Sequence, residues 1–221
     1  MASSVARGGV GSDTGTGTGD GSAELGNVVV RLRPAALGDA EELFAAIGDE
    51  RVWAAGYAGG PAARPRDVAG MRAMLEVAVS AGLRGERQAY VVRLAGETGL
   101  GPAGTVVGTS SLGEWDLANQ RVHLGWTAYG PPWWGTAVNP ACKLLLLGHA
   151  FDDCGFNRVK IQTDLINERS QAGIAKLGAT REGVLRRHMR RADGTWRDTV
   201  VYSVLRDEWP HVRAGLLARL P

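Results

Sequence analysis

The order of helical and strand-like segments is the feature of this sequence that most constrains its fold. β-branched or alternating runs indicate strands, and apolar residues at i, i+3 and i+4 indicate helices. Seven segments are strand-like and four are helical, in the order β-α-α-β-β-β-α-β-α-β-β. The predicted strands are 27–33, 88–94, 105–112, 121–129, 158–163, 183–191 and 195–205, and the predicted helices are 39–47, 66–81, 140–151 and 168–177. This order predicts a mixed α/β domain with a largely antiparallel sheet.

Two local signals place the ends of these segments. Asp193-Gly194 separates the last two strand-like segments, and an Asp-Gly pair at such a place is typical of a tight β-hairpin. Asn139 followed by Pro140 is typical of a helix N-terminus, with Asn as the N-cap and Pro as the first helical residue. We therefore expect a helix that begins at Pro140 and a hairpin formed by the last two strands.

The first 26 residues differ in composition from the rest of the 221-residue chain. They contain eight of its 32 glycines and seven Ser or Thr residues, so they offer little hydrophobic surface around which to fold. We expect a flexible tail over residues 1–26, followed by a single folded domain. Gly and Thr interrupt every apolar stretch of the tail, so we do not expect a secretory signal.

The overall composition excludes several classes of protein. Hydrophobic residues make up 44% and charged residues 22% of the chain, as in soluble globular proteins. No apolar run approaches the ~20 residues of a membrane span. The formal net charge of +2 is too small to argue for nucleic acid. We therefore expect a cytoplasmic monomer or homodimer without a membrane or nucleic-acid partner.

The two cysteines, Cys142 and Cys154, are twelve residues apart, near the start and just past the end of the helix predicted over 140–151. Twelve helical residues would separate them by about 18 Å, which is too far for a disulfide. With four scattered histidines they form no metal-binding pattern, so no metal is expected. Because Cys142 would lie in the first helical turn, we expect a lowered pKa for its thiol.

Residues 99–104, GLGPAG, match the G-x-G-x-x-G pattern of dinucleotide-binding loops. In those proteins the pattern ends a strand and opens a helix. Here it runs into the strand-like segment 105–112. We interpret it as a turn between two strands.

A stretch of mainly small residues leads into the helix predicted over 140–151, and it consists of Trp134, Gly135, Thr136, Ala137, Val138 and Asn139. A loop that turns into a helix N-terminus presents unpaired N–H groups and the positive end of the helix dipole, which favour an anion. Lys143 would lie in the first turn, where a cation opposes the dipole unless an anion is bound. The alternative is a lysine that faces solvent. The pattern predicts a phosphate site.

The same loop resembles that of a known family. Residues 129–139, YGPPWWGTAVN, are similar to the acetyl-CoA loop of the GNAT N-acetyltransferase superfamily, and specifically of its RimJ/RimL branch, which acetylates ribosomal-protein N-termini. The likeness continues through 150–151, 155–159, 167–170, 176–179, 182–186, 198–202 and 206–209. It covers roughly residues 27–209 and leaves 210–221 as a C-terminal extension. It implies a mostly antiparallel seven-stranded sheet, splayed between strands four and five and flanked by about four helices.

The resemblance implies a reaction and a set of site residues. Acetyl would pass from acetyl-CoA to a primary amine, either a protein N-terminal α-amine or a small-molecule amine, by direct attack in a ternary complex. The cofactor would lie along residues 134–139 and Lys143. Asn167 could cap a helix or contact the pantetheine arm, and Ser170 could hydrogen-bond the CoA sulfur. The backbone N–H groups of Ala128 and Tyr129 would stabilise the oxyanion.

The general base is predicted at His123. Many relatives carry Glu at this place before an Ile-Gly-Tyr or Ile-Gly-Trp run, whereas this chain has His123-Leu124-Gly125-Trp126. An ordinary His pKa of ~6.5 suits a base near neutral pH. The alternative is a strand residue without a chemical role. Glu114 and Asp116 are further candidates, although both also fit plain loop carboxylates.

A non-catalytic function also fits these residues. Ile174 occupies the place of a tyrosine that donates a proton in some relatives, and His123 replaces their Glu. An acyl-CoA-binding or RNA- or ribosome-associated module with the same fold would show such replacements. Turnover with an amine would distinguish an enzyme from such a module.

The predicted hairpin is rich in basic residues, which are Arg186, Arg187, His188, Arg190 and Arg191. On a regular strand, 186, 188 and 190 would share one face and 187 and 191 the other. They could form a solvated hairpin. By resemblance, the hairpin lies beside the acceptor entrance, where it could favour an acidic acceptor or an RNA-rich target.

Overall fold

The computed structural model describes residues 24–96 and 98–221, so residues 1–23 of the predicted tail lie outside the described part. The described residues form one eight-stranded sheet in the order β1-β2-β3-β4-β5-β6-β8-β7. Neighbouring strands are antiparallel, except that β5 and β6 are parallel. The strands are β1 (Leu25–Gly26), β2 (Val30–Pro34), β3 (Arg87–Leu94), β4 (Val106–Asp116), β5 (Arg121–Tyr129), β6 (Arg158–Asp164), β7 (Thr180–Arg190) and β8 (Trp196–Leu205).

Six α-helices occur in the described part of the chain. They are α1 (Ala40–Ile47), α2 (Glu50–Trp53), α3 (Val68–Leu83), α4 (Val138–Gly148), α5 (Glu168–Ala175) and α6 (Trp209–Leu217). A π-helical turn, His149–Asp153, continues α4. The seven strands and four helices expected from the sequence are all present. The additional elements are β1, α2 and α6.

Helix α3 illustrates how the sequence forms these elements. The Asp67 carboxylate accepts the Gly70 N–H at 2.8 Å and caps the first turn. Met71, Leu75 and Ala78 are buried at i, i+4 and i+7, which places them on one helical face. The hydrophobic spacing that predicted this helix is therefore the spacing that docks it on the sheet.

Two hydrophobic cores lie on opposite faces of the sheet. One core joins α1 and α3 to the β3–β5 region, and Leu43, Ile47 and Met71 lie at its centre. The other core packs α4, α5 and α6 against the opposite face, from β2 to β8. Burying each large apolar side chain contributes about 1.5–3 kcal/mol, so both cores stabilise the sheet substantially.

Strands β5 and β6 separate after only three paired residues. The parallel register joins Arg121 to Arg158, Val122 to Val159 and His123 to Lys160, and then ends. The rest of β5 diverges from β6, although β5 stays paired with β4 as far as Tyr129. The splay predicted between the fourth and fifth strands of the family fold is therefore present, and His123 lies at its vertex.

One face of β6, β8 and β7 stays open. Along β6, Val159 and Ile161 are buried under the helices, whereas Lys160 and Gln162 alternate to the other face and are partly exposed. Val201 pairs with Gln162 and continues this surface on β8. Edge strand β7 is exposed along most of its length. The open face adjoins the splay at Lys160.

The glycine-rich segment 99–104 forms a connection between β3 and β4. Gly99, Gly101 and Gly104 all have positive φ, which an L-residue adopts only with strain. The segment leads into β4 rather than into a helix. Its interpretation as a turn is confirmed.

Candidate active site

The free edge of β5 at the splay offers backbone groups to a ligand. Gly130 donates its N–H to the Val107 carbonyl on the β4 side. Tyr129, one residue earlier, points its backbone groups to the opposite edge, where β6 has diverged. Its carbonyl there accepts the Trp134 indole N–H at 2.7 Å. Of the two predicted oxyanion donors, Tyr129 therefore faces the opening, and Ala128 faces β4.

The loop after β5 is held by its tryptophans and by one hydroxyl. Trp134 is fixed by the bond to Tyr129, and Trp133 donates its indole N–H to the Leu100 carbonyl at 3.2 Å. The Thr136 hydroxyl donates to the Trp133 carbonyl at 2.8 Å. Gly135 has a φ of +75°, so a side chain at this position would strain the loop. The loop is thus pre-formed at the start of α4.

Helix α4 begins earlier than the sequence predicted. Ala137 is its N-cap and Val138 its first residue, so Pro140 is the third helical residue and Asn139 is not the cap. The reason is that none of the first helical N–H groups has an intrahelical acceptor, so proline is tolerated at any of these positions. The Thr136 hydroxyl accepts the Val138 N–H at 3.3 Å and supplies the cap instead.

Several backbone N–H groups at this helix start lack an acceptor among the described residues. They belong to Gly135, Thr136, Ala137 and Asn139. Together with the positive end of the α4 dipole, they form an anion-binding arrangement. The position predicted for a phosphate site therefore has suitable donors, although Pro140 contributes none.

Lys143 lies neither in the first turn of α4, beside the predicted anion site, nor at the solvent-exposed surface. It is the sixth residue of α4, beyond the first turn, and only 6% of it is exposed. Its ammonium donates to the Thr127 hydroxyl at 2.9 Å, and Thr127 in turn contacts the Ser110 hydroxyl at 2.7 Å. Burial lowers the pKa of Lys143 to about 8. Lys143 thus links α4 to β5 through a hydrogen bond to Thr127, close to the splay.

The expectation of a lowered thiol pKa for Cys142 is wrong. Cys142 is the fifth residue of α4 and is fully buried. Burial disfavours the charged thiolate and raises the pKa of the thiol. The exposed thiol is Cys154, whose Sγ lies 3.5 Å from His149 Nε2, and both cysteines are free.

The start of α5 lies against the same loop. The Asn167 side chain accepts the Ser170 N–H at 2.9 Å and caps the helix. The Arg169 guanidinium stacks over the Trp134 ring, 3.5 Å from its centroid. Arg169, which lies between Asn167 and Ser170 in the chain, therefore brings the start of α5 close to the loop 134–139. That Asn167 and Ser170 contact the cofactor stays a prediction. Ile174 is buried in the core instead.

His123 is the buried member of a polar cluster on the open face, and its two partners, Glu114 and Lys160, are partly exposed. Its Nδ1 lies 3.0 Å from Glu114 Oε1, and Lys160 Nζ binds the other carboxylate oxygen. These two partners lower the pKa of Glu114 to about 2, so its carboxylate only accepts hydrogen bonds. Nδ1 of His123 must then carry the proton and leave Nε2 as the basic nitrogen.

The surroundings of His123 keep this imidazole neutral. Burial lowers the pKa of His123, and the hydrogen bond to Glu114 opposes this effect only in part. Nε2 is buried without a partner among the described residues. A Cβ at Gly125 would lie 2.5 Å from Nε2, so glycine at this position preserves the space next to the base. The imidazole is thus oriented with its basic nitrogen unpaired.

Two strand irregularities produce this arrangement. Glu114 has a φ of +52° at a register shift between β4 and β5, and Trp126 has a φ of +49° at a second shift. Such bulges re-aim side chains and concentrate near active sites. The Trp126 ring lies 4.8 Å from the His123 ring. The sequence named Glu114 only as a further candidate, because local pattern does not reveal these shifts.

A third irregularity changes the basic hairpin. Arg187 has a φ of +49°, and the register of β7 on β8 shifts between Leu185 and Met189. The expected strict alternation of residues 186–191 between two faces is therefore wrong. Arg191 binds the buried Asp164 through two bonds of 2.8 and 2.9 Å, an ion pair that the sequence did not indicate.

The described residues form neither a membrane-spanning helix nor a metal-binding cluster. No helix among them combines the length and hydropathy needed to cross a bilayer. Within residues 24–96 and 98–221, His, Cys, Asp and Glu side chains form no group of three that could hold a metal ion.

Comparison with known proteins places this geometry in a family. Residues 30–180 match the acetyltransferase (GNAT) domain. The Bacillus subtilis (strain 168) protein named "Putative ribosomal N-acetyltransferase YdaF" is 32% identical over 114 residues, which cover 51% of this chain and 61% of that protein. The match thus spans about three fifths of this curated relative.

Solved structures share the same architecture. A "putative acetyltransferase" from T. thermophilus is 36% identical, with a TM-score of 0.77 over 90% of this chain and 97% of that one. Mycobacterium smegmatis RimJ, solved with CoA-disulfide, has a TM-score of 0.70 at 20% identity and shares the fold over 90% of this chain and 95% of its own. The chain belongs to the GNAT acetyltransferase family, in which it resembles the RimJ/RimL branch.

Proposed function

We propose that the protein transfers an acetyl group from acetyl-CoA to a primary amine by direct attack. The observation that carries this proposal is the position of His123 at the vertex of the splay, where a neutral imidazole has an unpaired Nε2. The family provides the reaction class, and the polar cluster provides a group that can accept the proton of the amine.

In this proposal the cofactor lies across the opening between β5 and β6. Its pyrophosphate accepts hydrogen bonds from the N–H groups of Gly135, Thr136, Ala137 and Asn139 at the start of α4, which Val138 opens. The Arg169–Trp134 stack closes the far end of the site. The pantetheine arm then runs along the free edge of β5, past Asn167, towards His123. Lys143 stabilises this part of β5 by donating a hydrogen bond to the Thr127 hydroxyl.

The chemical step needs few groups. The amine nitrogen attacks the thioester carbonyl carbon while His123 Nε2 accepts its proton through one water, since Nε2 is itself buried. The Tyr129 N–H donates to the oxygen that becomes negative, with Ala128 supporting the strand. The C–S bond then breaks, the Ser170 hydroxyl donates a hydrogen bond to the leaving thiolate, and the proton held by His123 passes through water to the sulfur. No group on the protein becomes acetylated.

The proposed acceptors are a protein N-terminal α-amine or a small-molecule amine. The proposed location is the cytoplasm, consistent with the two free thiols. The proposed oligomeric state is a monomer or a homodimer, which sedimentation distinguishes.

The experiment combines thiol release from acetyl-CoA with mass spectrometry of a panel of peptides and small amines. We expect acetylated products whose rate of formation falls about 100-fold in His123→Ala. Gly125→Ala, which fills the space beside Nε2, should also lower kcat. Asp116→Asn, on the same strand end but bonded to Asn119 and Arg121, is the matched control. Stabilisation by acetyl-CoA without thiol release from any amine would contradict the proposal and favour a non-catalytic binding module.

A further inference from the structure

The carboxylates on the open face are already paired. Glu114 is bound by His123 and Lys160, and Asp164 is bound by Nε and one terminal nitrogen of Arg191. Glu182 binds Arg158 through both oxygens and also accepts the Ser203 hydroxyl at 2.8 Å. None of these three carboxylates is free to receive an incoming cation.

Two partly buried arginines lie in the same region without a carboxylate partner among the described residues. Arg87 donates to the Ser111 hydroxyl at 3.0 Å, and its guanidinium stacks 4.4 Å from the Trp126 ring. Arg197 has a buried Nε that lacks any acceptor in the described chain. Burial lowers the pKa of both groups. A desolvated cation without a counter-ion is unfavourable, so an anion would stabilise this region.

Arg87 lies close to His123, and Arg197 lies close to the Gly56–Tyr57 segment. Trp126 lies between Arg87 and His123, with ring contacts on both sides. Arg197 lies near the Asp164–Arg191 pair, and Asp164 packs against Gly56. Tyr57, the next residue, contacts the Trp126 carbonyl at 3.4 Å. Both cations therefore lie near the Gly56–Tyr57 segment, Arg87 beside Tyr57 and Arg197 beside Asp164.

Two grooves on the open face extend this basic region outward. The inner groove, of about 320 Å³, includes Lys160 and Val201 and so reaches the polar cluster around His123. The outer groove, of about 820 Å³, is lined by Arg186, Arg187 and His188. Its carboxylate, Asp198, accepts the Arg187 backbone N–H. The positive charge along the path to the base is therefore in excess.

We propose that the acceptor is an anionic amine, in which a carboxylate or phosphate near the attacking nitrogen binds the Arg87 and Arg197 side of the open face. This inference rests on the proposed acetyl transfer and specifies its substrate class. It excludes polycationic acceptors such as polyamines, because the carboxylates that would bind them are occupied by Lys160, Arg191 and Arg158. An acidic peptide N-terminus and a small phosphorylated amine share this chemistry.

The first test compares matched acceptors with the wild-type protein. One arm uses peptides Ala-Asp-Glu-Ala, Ala-Asn-Gln-Ala and Ala-Lys-Lys-Ala, and the other uses O-phosphoethanolamine and ethanolamine. We expect kcat/KM to be about 10-fold or more higher for the anionic member, with a preference that weakens in high salt. The arm with the larger preference identifies the source of the anion. Equal or better turnover of neutral or cationic acceptors would overturn the inference but leave acetyl transfer intact.

The second test uses Arg197→Gln, with Arg197→Lys as the charge-preserving variant and Arg213→Gln, at an exposed position of α6, as the control. We expect Arg197→Gln to abolish most of the anionic preference by raising KM, Arg197→Lys to keep part of it, and Arg213→Gln to match wild type. Thermal unfolding verifies that each variant is folded. Calorimetric binding of the same peptides with CoA present gives a readout that needs no turnover. Failure of the acidic peptide to bind more tightly than the neutral one would overturn the inference, whereas absent thiol release with selective binding would contradict only the acetyl transfer.

Discussion

At the scale of single residues, the site depends on groups whose protonation the fold has changed. His123 is kept neutral by burial and is oriented by Glu114, and Lys143 is a buried ammonium held by a hydroxyl. The sequence indicated His123 and Lys143 as candidates because of their residue types and positions. It could not indicate their environments, because these depend on bulges at Glu114 and Trp126 and on the burial of α4.

The pairing of His123 with Glu114 predicts a pH effect. Removal of the carboxylate in Glu114→Gln takes away the group that favours the protonated imidazole, so the pKa of His123 falls further below its ordinary 6.5. In the wild type we expect the acid limb of kcat/KM to lie below pH 6.5, and in the variant at still lower pH. The rate on the plateau should fall about 10-fold because the ring loses its fixed orientation.

The measurement is the pH profile of thiol release with a fixed amine. Asp116→Asn serves as the control. Asp116 lies two residues after Glu114 in the chain, but it bonds to Asn119 and Arg121 and not to His123. An acid limb that stays at the wild-type position in Glu114→Gln would show that His123 is not the titrating group.

The buried Lys143 predicts an effect of pH on stability. Its pKa is about 8 in the folded protein and 10.5 in the unfolded chain, so between these values the unfolded chain holds the extra proton. The free energy of unfolding of the wild type should therefore rise with pH from 8 to 10.5, relative to Lys143→Met. A shift of this size corresponds to about 3 kcal/mol.

Urea unfolding of the two proteins across this pH range tests the prediction. Other groups titrate equally in both, so their contributions cancel in the difference. Lys176→Met, at an exposed position, should show no such difference. If the free energy of unfolding varied with pH in the same way in the wild type and in Lys143→Met, Lys143 would be solvated in the folded protein.

At the scale of secondary-structure elements, the long helices and strands could be predicted and their ends could not. Hydrophobic periodicity located α3, α4 and β6 because the same spacing docks them on the sheet. The start of α4 was misplaced because Asn139-Pro140 fits several positions in a first turn equally well. Helix α2 was missed because four residues are too few to show a period.

The first turn of α5 predicts a contrast between two neighbouring variants. The Asn167 side chain caps the helix, so Asn167→Ala should lower the free energy of unfolding by about 1 kcal/mol. The Ser170 hydroxyl has no partner among the described residues, so Ser170→Ala should change stability by less than about 0.5 kcal/mol. If Ser170 contacts the CoA sulfur as proposed, its variant should instead lower kcat.

Thermal unfolding and steady-state kinetics of both variants separate these roles. Ser170→Thr, which retains the hydroxyl, is the matched control for the kinetic effect. A loss of stability in Ser170→Ala equal to that in Asn167→Ala, with kcat unchanged, would assign Ser170 to the helix alone.

At the scale of the whole molecule, the splay interrupts the sheet, and the helical core compensates for it. Only three residue pairs join β5 to β6, so the ladder contributes little to holding the two halves of the sheet together. The core under α4 crosses the gap, because it includes Val122 and Leu124 of β5 as well as Val159 and Ile161 of β6. An opening for a ligand can therefore exist without loosening the domain.

Helix α6 belongs to this bridging core, although the sequence placed most of it in a C-terminal extension. Trp209, Val212 and Leu216 are buried on one face, and the Trp209 ring stacks on Phe151 with centroids 5.6 Å apart. Its indole N–H donates to the Asp152 carboxylate at 3.0 Å. The spacing of these three residues is helical, but the role of the helix follows only from its docking on α4.

The last prediction follows from this docking. Trp209→Ala should lower the free energy of unfolding by about 3–5 kcal/mol, since it removes a large buried ring and leaves Asp152 without a partner. Leu217→Ala, on the same helix with 45% exposure, is the control and should cost less than about 0.5 kcal/mol. Urea unfolding followed by both circular dichroism and tryptophan fluorescence makes the measurement, and coincident transitions are expected because α6 and the sheet share one core. A separate early transition in Trp209→Ala, with the main transition unmoved, would mean that α6 does not help to bridge the two halves of the sheet.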